Sequence, residues 1–315
     1  MQFRLWKRMG MAVGFIPFST VGYSLSNTSE LTKDEDGTVI NKTASYAGDG
    51  GLQQVFAGVG FKVLDNLSIG ANISYIYGDI THSVTTAFSN SSSFSSVRLD
   101  KISINDYKLD FGLQYSYKFN KKHVLNFGAV YSLGHSMNGK GYKYNQKWLN
   151  GADYPSTQTG DTITNAFSLP HTFGAGLTYV YDNRLTVGAD FTYQKWEDAK
   201  FYNEKNYFCN RTKIAVGAEF IPSPYSHNYL KRIRYRVGGY YSDPYTKVDG
   251  QDGTREYGVS AGFGFPLFQS KSILNISGQY VKVSPKVKGM LEENYLKINI
   301  GLTFNERWFM KWKVD

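Results

Sequence analysis

Arg232, Arg234 and Arg236 alternate with Ile233, Tyr235 and Val237. In an extended chain this spacing sends the guanidinium groups to one face and the apolar side chains to the other. Such a basic stripe can attract a carboxylate or other anion in transit, because the planar fork matches an oxyanion. It can equally neutralise carboxylates inside a packed interior. Lys108, Asp110, Arg184, Asp190, Lys213, Glu219 and Lys297 occupy the polar positions of other alternating segments. These ten residues form the candidate lumen-facing group. An internal salt-bridge network through Asp110, Asp190 and Glu219 is the favoured expectation, since an enclosed interior must satisfy its charges whether or not anything passes. The anion-attracting stripe is the alternative.

Catalysis has thinner support. The histidines at 82, 123, 135, 171 and 227 are scattered. A hydrolase on a barrel wall would need His135 or His171 beside Ser132 or Ser168, and nothing in the spacing marks such a group. Asp34 to Gly37 and Asp249 to Gly253 lack the alternating ligand spacing of a calcium loop and read as acidic turns. The single Cys209 excludes an internal disulfide framework and a cysteine zinc site. The expectation is therefore a protein that is not an enzyme, with no cofactor and no metal site.

The elements that carry these residues have a period of two. From Tyr107 to Phe119 every odd position is apolar or aromatic and every even one polar or glycine. Leu125 to Leu133 repeats the pattern after a tight turn at Asn120-Lys121-Lys122. Leu67 to Tyr77, Phe173 to Tyr181, Leu185 to Tyr193, Tyr257 to Leu267 and Leu296 to Phe304 do the same. About twelve strands of roughly 9–13 residues are expected, the length a tilted strand needs to cross a bilayer. Short connections (Asp65-Asn66, 120–122, Asp182-Asn183, 269–271, with a longer one at 222–227) alternate with long loops near 26–50, 79–106, 136–168, 196–212, 242–254 and 283–293. That alternation, with an even strand count, is the pattern of an outer-membrane barrel whose short turns are periplasmic.

Composition agrees. Of 315 residues 41% are hydrophobic and 16% aromatic, with 25 Tyr, 21 Phe and 32 Gly. No apolar run of about 18 residues is present, which rules out a helical membrane protein. The polar face is Gly, Ser, Asn, Thr and Gln rather than the Lys and Glu of a water-facing sandwich, which favours a barrel with small residues on its concave side. The net charge of +9 has carriers spread over strands and loops, which gives no footprint for nucleic acid. Residues 1–16 do not make a convincing signal peptide, because Gly14 and Pro17 interrupt the apolar run. The expectation is that Met1 is the start of a fragment or a mis-called start codon, with the export signal absent from this chain and lying upstream.

The pieces Phe15-Ile16-Pro17-Phe18-Ser19-Thr20-Val21-Gly22-Tyr23, Tyr46-Ala47-Gly48-Asp49-Gly50-Gly51-Leu52 and Phe304-Asn305-Glu306-Arg307-Trp308-Phe309-Met310-Lys311-Trp312 resemble the long-chain fatty acid transporter family (FadL/TodX-like), in its Bacteroidota form. The resemblance implies a single domain over 1–315, an all-β antiparallel up-and-down transmembrane barrel in the bacterial outer membrane. It implies fourteen strands in a full-length member, with an N-terminal hatch and first strands that this chain lacks. It also implies passive uptake of a hydrophobic small-molecule ligand, a long-chain fatty acid or an aromatic hydrocarbon, and bound outer-membrane lipid or detergent. A non-conducting, structural or assembly-associated barrel that binds another envelope protein is the second expectation.

Overall fold

The computed structural model describes residues 2–33, 37–90, 92–149, 152–153, 159–202, 205–248, 250–267, 272–285 and 292–304. The acidic segment 34–36, Asp249, the turn at 269–271 and the tail after Phe304 lie outside the described residues. The strands are β1 (Gln2–Trp6), β2 (Met9–Lys33), β3 (Val39–Lys62), β4 (Leu67–Phe88), β5 (Ser95–Lys118), β6 (His123–Ser132), β7 (His135–Met137), β8 (Gly139–Leu149), β9 (Ala152–Asp153) and β10 (Thr159–Thr164). They continue with β11 (Phe167–Leu169), β12 (Thr172–Tyr181), β13 (Leu185–Gln194), β14 (Arg211–Phe220), β15 (Arg234–Ser242), β16 (Lys247–Val248), β17 (Gln251–Asp252), β18 (Thr254–Pro266), β19 (Ile273–Pro285) and β20 (Glu293–Thr303). Among the described residues no helix is long and apolar enough to cross a membrane.

The main sheet is antiparallel and runs β1-β2-β3-β4-β5-β6-β12-β13-β14-β15-β18-β19-β20. It is an up-and-down meander, and one cavity on its concave side touches residues from β3 round to β14, which records the curvature. The odd positions of β5 behave as the alternation requires: Tyr107, Phe111, Leu113, Tyr115 and Tyr117 are exposed. Leu296, Ile298 and Ile300 on β20 are 68–72% exposed, a face suited to lipid.

The path departs from the expected even count. It contains thirteen strands, because Gln2–Trp6 forms a short strand against Met9–Ala12. Phe3 and Leu5 alternate around Arg4 there, a pattern too short to stand out beside the basic residues that follow. With an odd number of antiparallel strands, β1 and β20 run in the same direction. Among the described residues no ladder joins them, and the sheet is open at that seam.

The larger departure concerns the long loops. Most of the described residues of segments 26–50, 79–106 and 136–168 are in strands. β2, β3, β4 and β5 are 22–25 residues long, whereas β12 to β15 are 9–10. At about 3.3 Å per residue the short set just spans a bilayer, and the long set stands roughly 40 Å beyond it. Runs such as Thr81-His82-Ser83-Val84-Thr85-Thr86 explain why: β-branched and hydroxyl side chains favour the extended state even without apolar alternation.

The hairpin after β5 shows how the wall is shaped. Ser132 pairs Thr172, His135 pairs Leu169 and Asn145 pairs Thr159, so a single register runs through three separate ladders. The break falls where Pro170, which has no N–H to donate, faces Leu133-Gly134. A Cβ on Gly134 would lie 2.3 Å from the His171 nitrogen, so the strands meet closely at the bend. Beyond it, Met137 and Leu169 are buried.

Gly50 and Gly78 mark the level at which β3 and β4 leave the lipid band. Their φ values are 106° and 143°, which L residues rarely adopt. A Cβ on Gly78 would sit 2.3 Å from the Gly51 carbonyl oxygen. Gly78→Ala is expected to cost about 1–3 kcal/mol. The check is an earlier loss of the heat-modifiable gel shift, measured beside Gly22→Ala, where a Cβ meets nothing within 4 Å.

Candidate functional site

Five of the ten candidate residues are held in two networks. On β14 and β15, Glu219 accepts from Arg236 Nε at 2.6 Å and from Arg234 Nη1 at 3.1 Å. Arg236 Nη1 donates onward to Asn275 Oδ1 at 2.7 Å, and Asn275 Nδ2 donates to Thr303 Oγ1 at 3.2 Å. This belt reaches β20 across β18, where Gly264 leaves room: a Cβ there would come within 3.1 Å of the Arg234 Cβ. On β5 and β6, Asp110 receives Lys108 Nζ and the Ser132 hydroxyl. Asp190 and Lys213 line the shared concave cavity of about 760 Å³. Lys213 Nζ lies 4.8 Å from the centre of the Tyr240 ring, and no ion pair involves Asp190 among the described residues.

Two of the ten candidates lie in turns, and Lys297 stands apart from both networks. Arg232 belongs to the 3-10 turn Tyr229–Arg232 and stacks 5.4 Å over Tyr229, so the alternation of arginines starts only at Arg234. The turn intervenes because Asn228 caps it, accepting from the Leu230 N–H at 3.0 Å. Arg184 sits in the β12–β13 turn, where its Nε meets Asp182 at 3.5 Å. Lys297 lies on exposed β20, with Nζ 4.9 Å from the centre of the Tyr295 ring.

Glu219→Gln removes the charge that two guanidinium groups share. Charge-assisted hydrogen bonds of this kind contribute roughly 1.5–3 kcal/mol. Because all three side chains are partly exposed, the expected loss is about 1–2 kcal/mol. It is read as a lower unfolding temperature on gels, with most of the loss recovered in Glu219→Gln/Arg234→Gln.

Serine and histidine do not form a nucleophile–base pair among the described residues. Ser132 donates to Asp110, and His171 Nδ1 shares its hydrogen bond with the Tyr131 hydroxyl at 2.8 Å. His135 Nε2 donates to Asp106 Oδ2 at 3.3 Å, and its ring stacks on Tyr107 at 4.8 Å. Asp106 also accepts from the N–H groups of Asn138 and Tyr107, at 2.6 and 2.7 Å. This knot bridges the stretch where β5 has left β6 and not yet joined β8.

Above it lies a feature that the alternation alone did not locate. Leu52, Ile76, Ile102 and Ile104 form an apolar patch on the upper wall, covered by Met137, Ala166, Leu169 and Tyr202. All are buried, and Phe18, Ile80, Ile163, Phe167 and Phe201 pack around them. Gln54 enters this region only by donating to Ser74 at 2.7 Å, which satisfies both buried groups. Burial, and then the Asp100 carboxylate, push the Tyr202 phenol well above its ordinary range. Two positions along β3 at a time, Leu52 leads to Gly50, Gly48 and Tyr46, and Tyr46 faces Leu25 across the ladder. There the covering ends: Tyr23, Leu25 and Tyr46 are 41%, 60% and 42% exposed.

The geometry is that of a membrane barrel wall with a charged concave face, an internally packed outer mouth and an uncovered apolar patch above it. Among solved structures, a Pseudomonas aeruginosa FadL homologue matches with a TM-score of 0.52 and 14% identity over 94% of this chain and 88% of that one. The Pseudomonas putida toluene transporter TodX matches with a TM-score of 0.50 and 14% identity over 96% and 88%. At that identity the likeness concerns the fold, which is the barrel fold of those proteins. No curated protein matches the sequence. A family model described as BamG matches residues 1–315, from end to end. The chain therefore belongs to the BamG family.

Proposed function

We propose that this chain is an assembly-associated outer-membrane barrel that binds other envelope proteins through its tall outer wall, the role to which the family's name points. The observation that carries this reading is the wall itself. Strands of 22–25 residues far exceed the 9–11 that a bilayer needs, and part-way up their tall section β2 and β3 carry an exposed apolar patch centred on Leu25 and Tyr46. The packed cluster around Ile76 and Met137 holds covering segments against that wall. A contiguous exposed apolar patch rimmed by polar residues is the usual mark of a protein contact. The supporting experiment is purification from outer membranes in mild detergent. A stoichiometric envelope protein should accompany the barrel, and a barrel that elutes alone argues against the role.

One observation favours a second reading, passage of a hydrophobic small molecule such as a long-chain fatty acid or an aromatic hydrocarbon. The backbone ladder between β5 and its neighbour is interrupted at residues 106–108, where side-chain contacts of Asp106 with His135 and Asn138 take its place, and an apolar solute could leave the lumen sideways if that knot opened. Uptake of labelled fatty acid or toluene into liposomes above the empty-vesicle control would support it.

A further inference from the structure

Although charged residues occur along the strands and loops, the net positive charge is concentrated at one end, the end of the short turns. Arg4, Lys7 and Arg8 lie at the β1–β2 turn, and Lys118, Lys121 and Lys122 at the β5–β6 turn. Lys62, Arg184, Lys231 and Arg232 lie at three of the other short connections. Against these ten cations, the same described turns carry two acids, Asp65 and Asp182. That surplus of eight compares with nine for the whole chain.

Both acids are already engaged. Asp65 faces Lys62 at 3.5 Å and Arg8 at 3.8 Å, and Asp182 faces Arg184 at 3.5 Å. Lys118, Lys121 and Lys122 are exposed and meet no carboxylate among the described residues. A second pattern accompanies the first: each cationic group has an exposed apolar side chain next to it. Trp6 precedes Lys7 and is 72% exposed; Phe119 sits between Lys118 and Lys121 and is 61% exposed; Leu230 precedes Lys231 and is 63% exposed. An aromatic or aliphatic group beside a lysine is the arrangement that anchors a protein at a membrane boundary, with the ring below the headgroups and the ammonium among them.

We propose that this ring of cations binds anionic phospholipid headgroups in the membrane leaflet next to the short turns. The phosphodiester charge supplies the counter-ion that the turns lack, and the neighbouring rings enter the acyl boundary. A soluble acidic protein would not explain why apolar side chains stand beside the lysines on three separate turns. The inference rests on the membrane placement of the strands proposed above and is independent of any envelope partner.

The test is native mass spectrometry of the full chain extracted from vesicles containing equal phosphatidylglycerol and phosphatidylethanolamine. Retained phosphatidylglycerol should exceed phosphatidylethanolamine at least threefold, and Lys118→Gln/Lys121→Gln/Lys122→Gln should reduce that ratio at least by half. Lys140→Gln/Lys147→Gln, at the opposite end, should leave it unchanged. The heat-modifiable gel shift reports separately whether each variant folds in the membrane. Equal retention of both lipids by the folded wild-type protein overturns the proposal. So does a triple variant that keeps the preference, or one whose only loss is a co-purifying acidic protein.

Discussion

Ile76→Asp is expected to unfold the outer half of the wall while the lipid-facing band stays intact. Ile76 is fully buried in the cluster with Leu52, Ile102 and Ile104, covered by Met137 and Tyr202. Truncating such a side chain to alanine costs about 2–5 kcal/mol. A carboxylate adds the expense of burying a charge with no cation in the cluster to meet it. At the cluster itself the covering segments are held by short contacts, a three-residue ladder between β7 and β11 and a few backbone hydrogen bonds between residues 166–168 and 200–202. Limited proteolysis of folded protein in vesicles should therefore cut the variant between residues 133 and 169 or between 196 and 202 at least tenfold faster than the wild type. The gel shift of the membrane band should move little. An unchanged cleavage rate would mean that the cluster does not hold the outer mouth together.

The second large effect concerns the uncovered patch. Leu25 and Tyr46 face each other across β2 and β3, on the alternation that continues from the buried Leu52. Leu25→Lys/Tyr46→Lys places two charges at its centre without touching the cluster below. Central apolar contacts of an interface each contribute about 2 kcal/mol or more. Binding of the envelope partner is therefore expected to weaken at least thirtyfold, with folding and lipid retention unchanged. Quantifying the partner that co-elutes at several salt concentrations checks this. Loss through an apolar contact should persist in high salt, because screening does not restore it.

Much of the barrel was legible in the sequence. Strict alternation from Tyr107 to Phe119 located the second half of β5, and Asn120-Lys121-Lys122 located its turn, because one lipid-facing side writes a period of two into the chain. The pairing of Glu219 with Arg234 and Arg236 was equally accessible, since all three hold polar positions on neighbouring strands. Arg232 was not, because Asn228 closes a turn that delays the strand by two residues. The tall wall escaped for a different reason. Above the membrane both faces meet water or protein, so Ser26 and Thr28 can pair with Ser45 and Thr43 without an apolar stripe to announce them. One signal was present: Ile102 and Ile104 fall on even positions, whereas Tyr107 to Tyr117 fall on odd ones. That change of phase along a single strand marks the level at which apolar side chains turn from the lipid to an internal core. The thirteenth strand was hidden because Gln2–Trp6 is too short to establish a period.

The central claim is that the outer wall above the lipid is a protein-binding surface. The most direct measurement places a photoreactive amino acid at Leu25 or Tyr46 and, as a control, at lipid-facing Ile298 or Val259, in cells with an intact outer membrane. The account predicts a discrete cross-link to one envelope protein from Leu25 and Tyr46 and only lipid adducts from the control positions. Lipid adducts alone from all four positions, or no adduct at Leu25 and Tyr46, would contradict it.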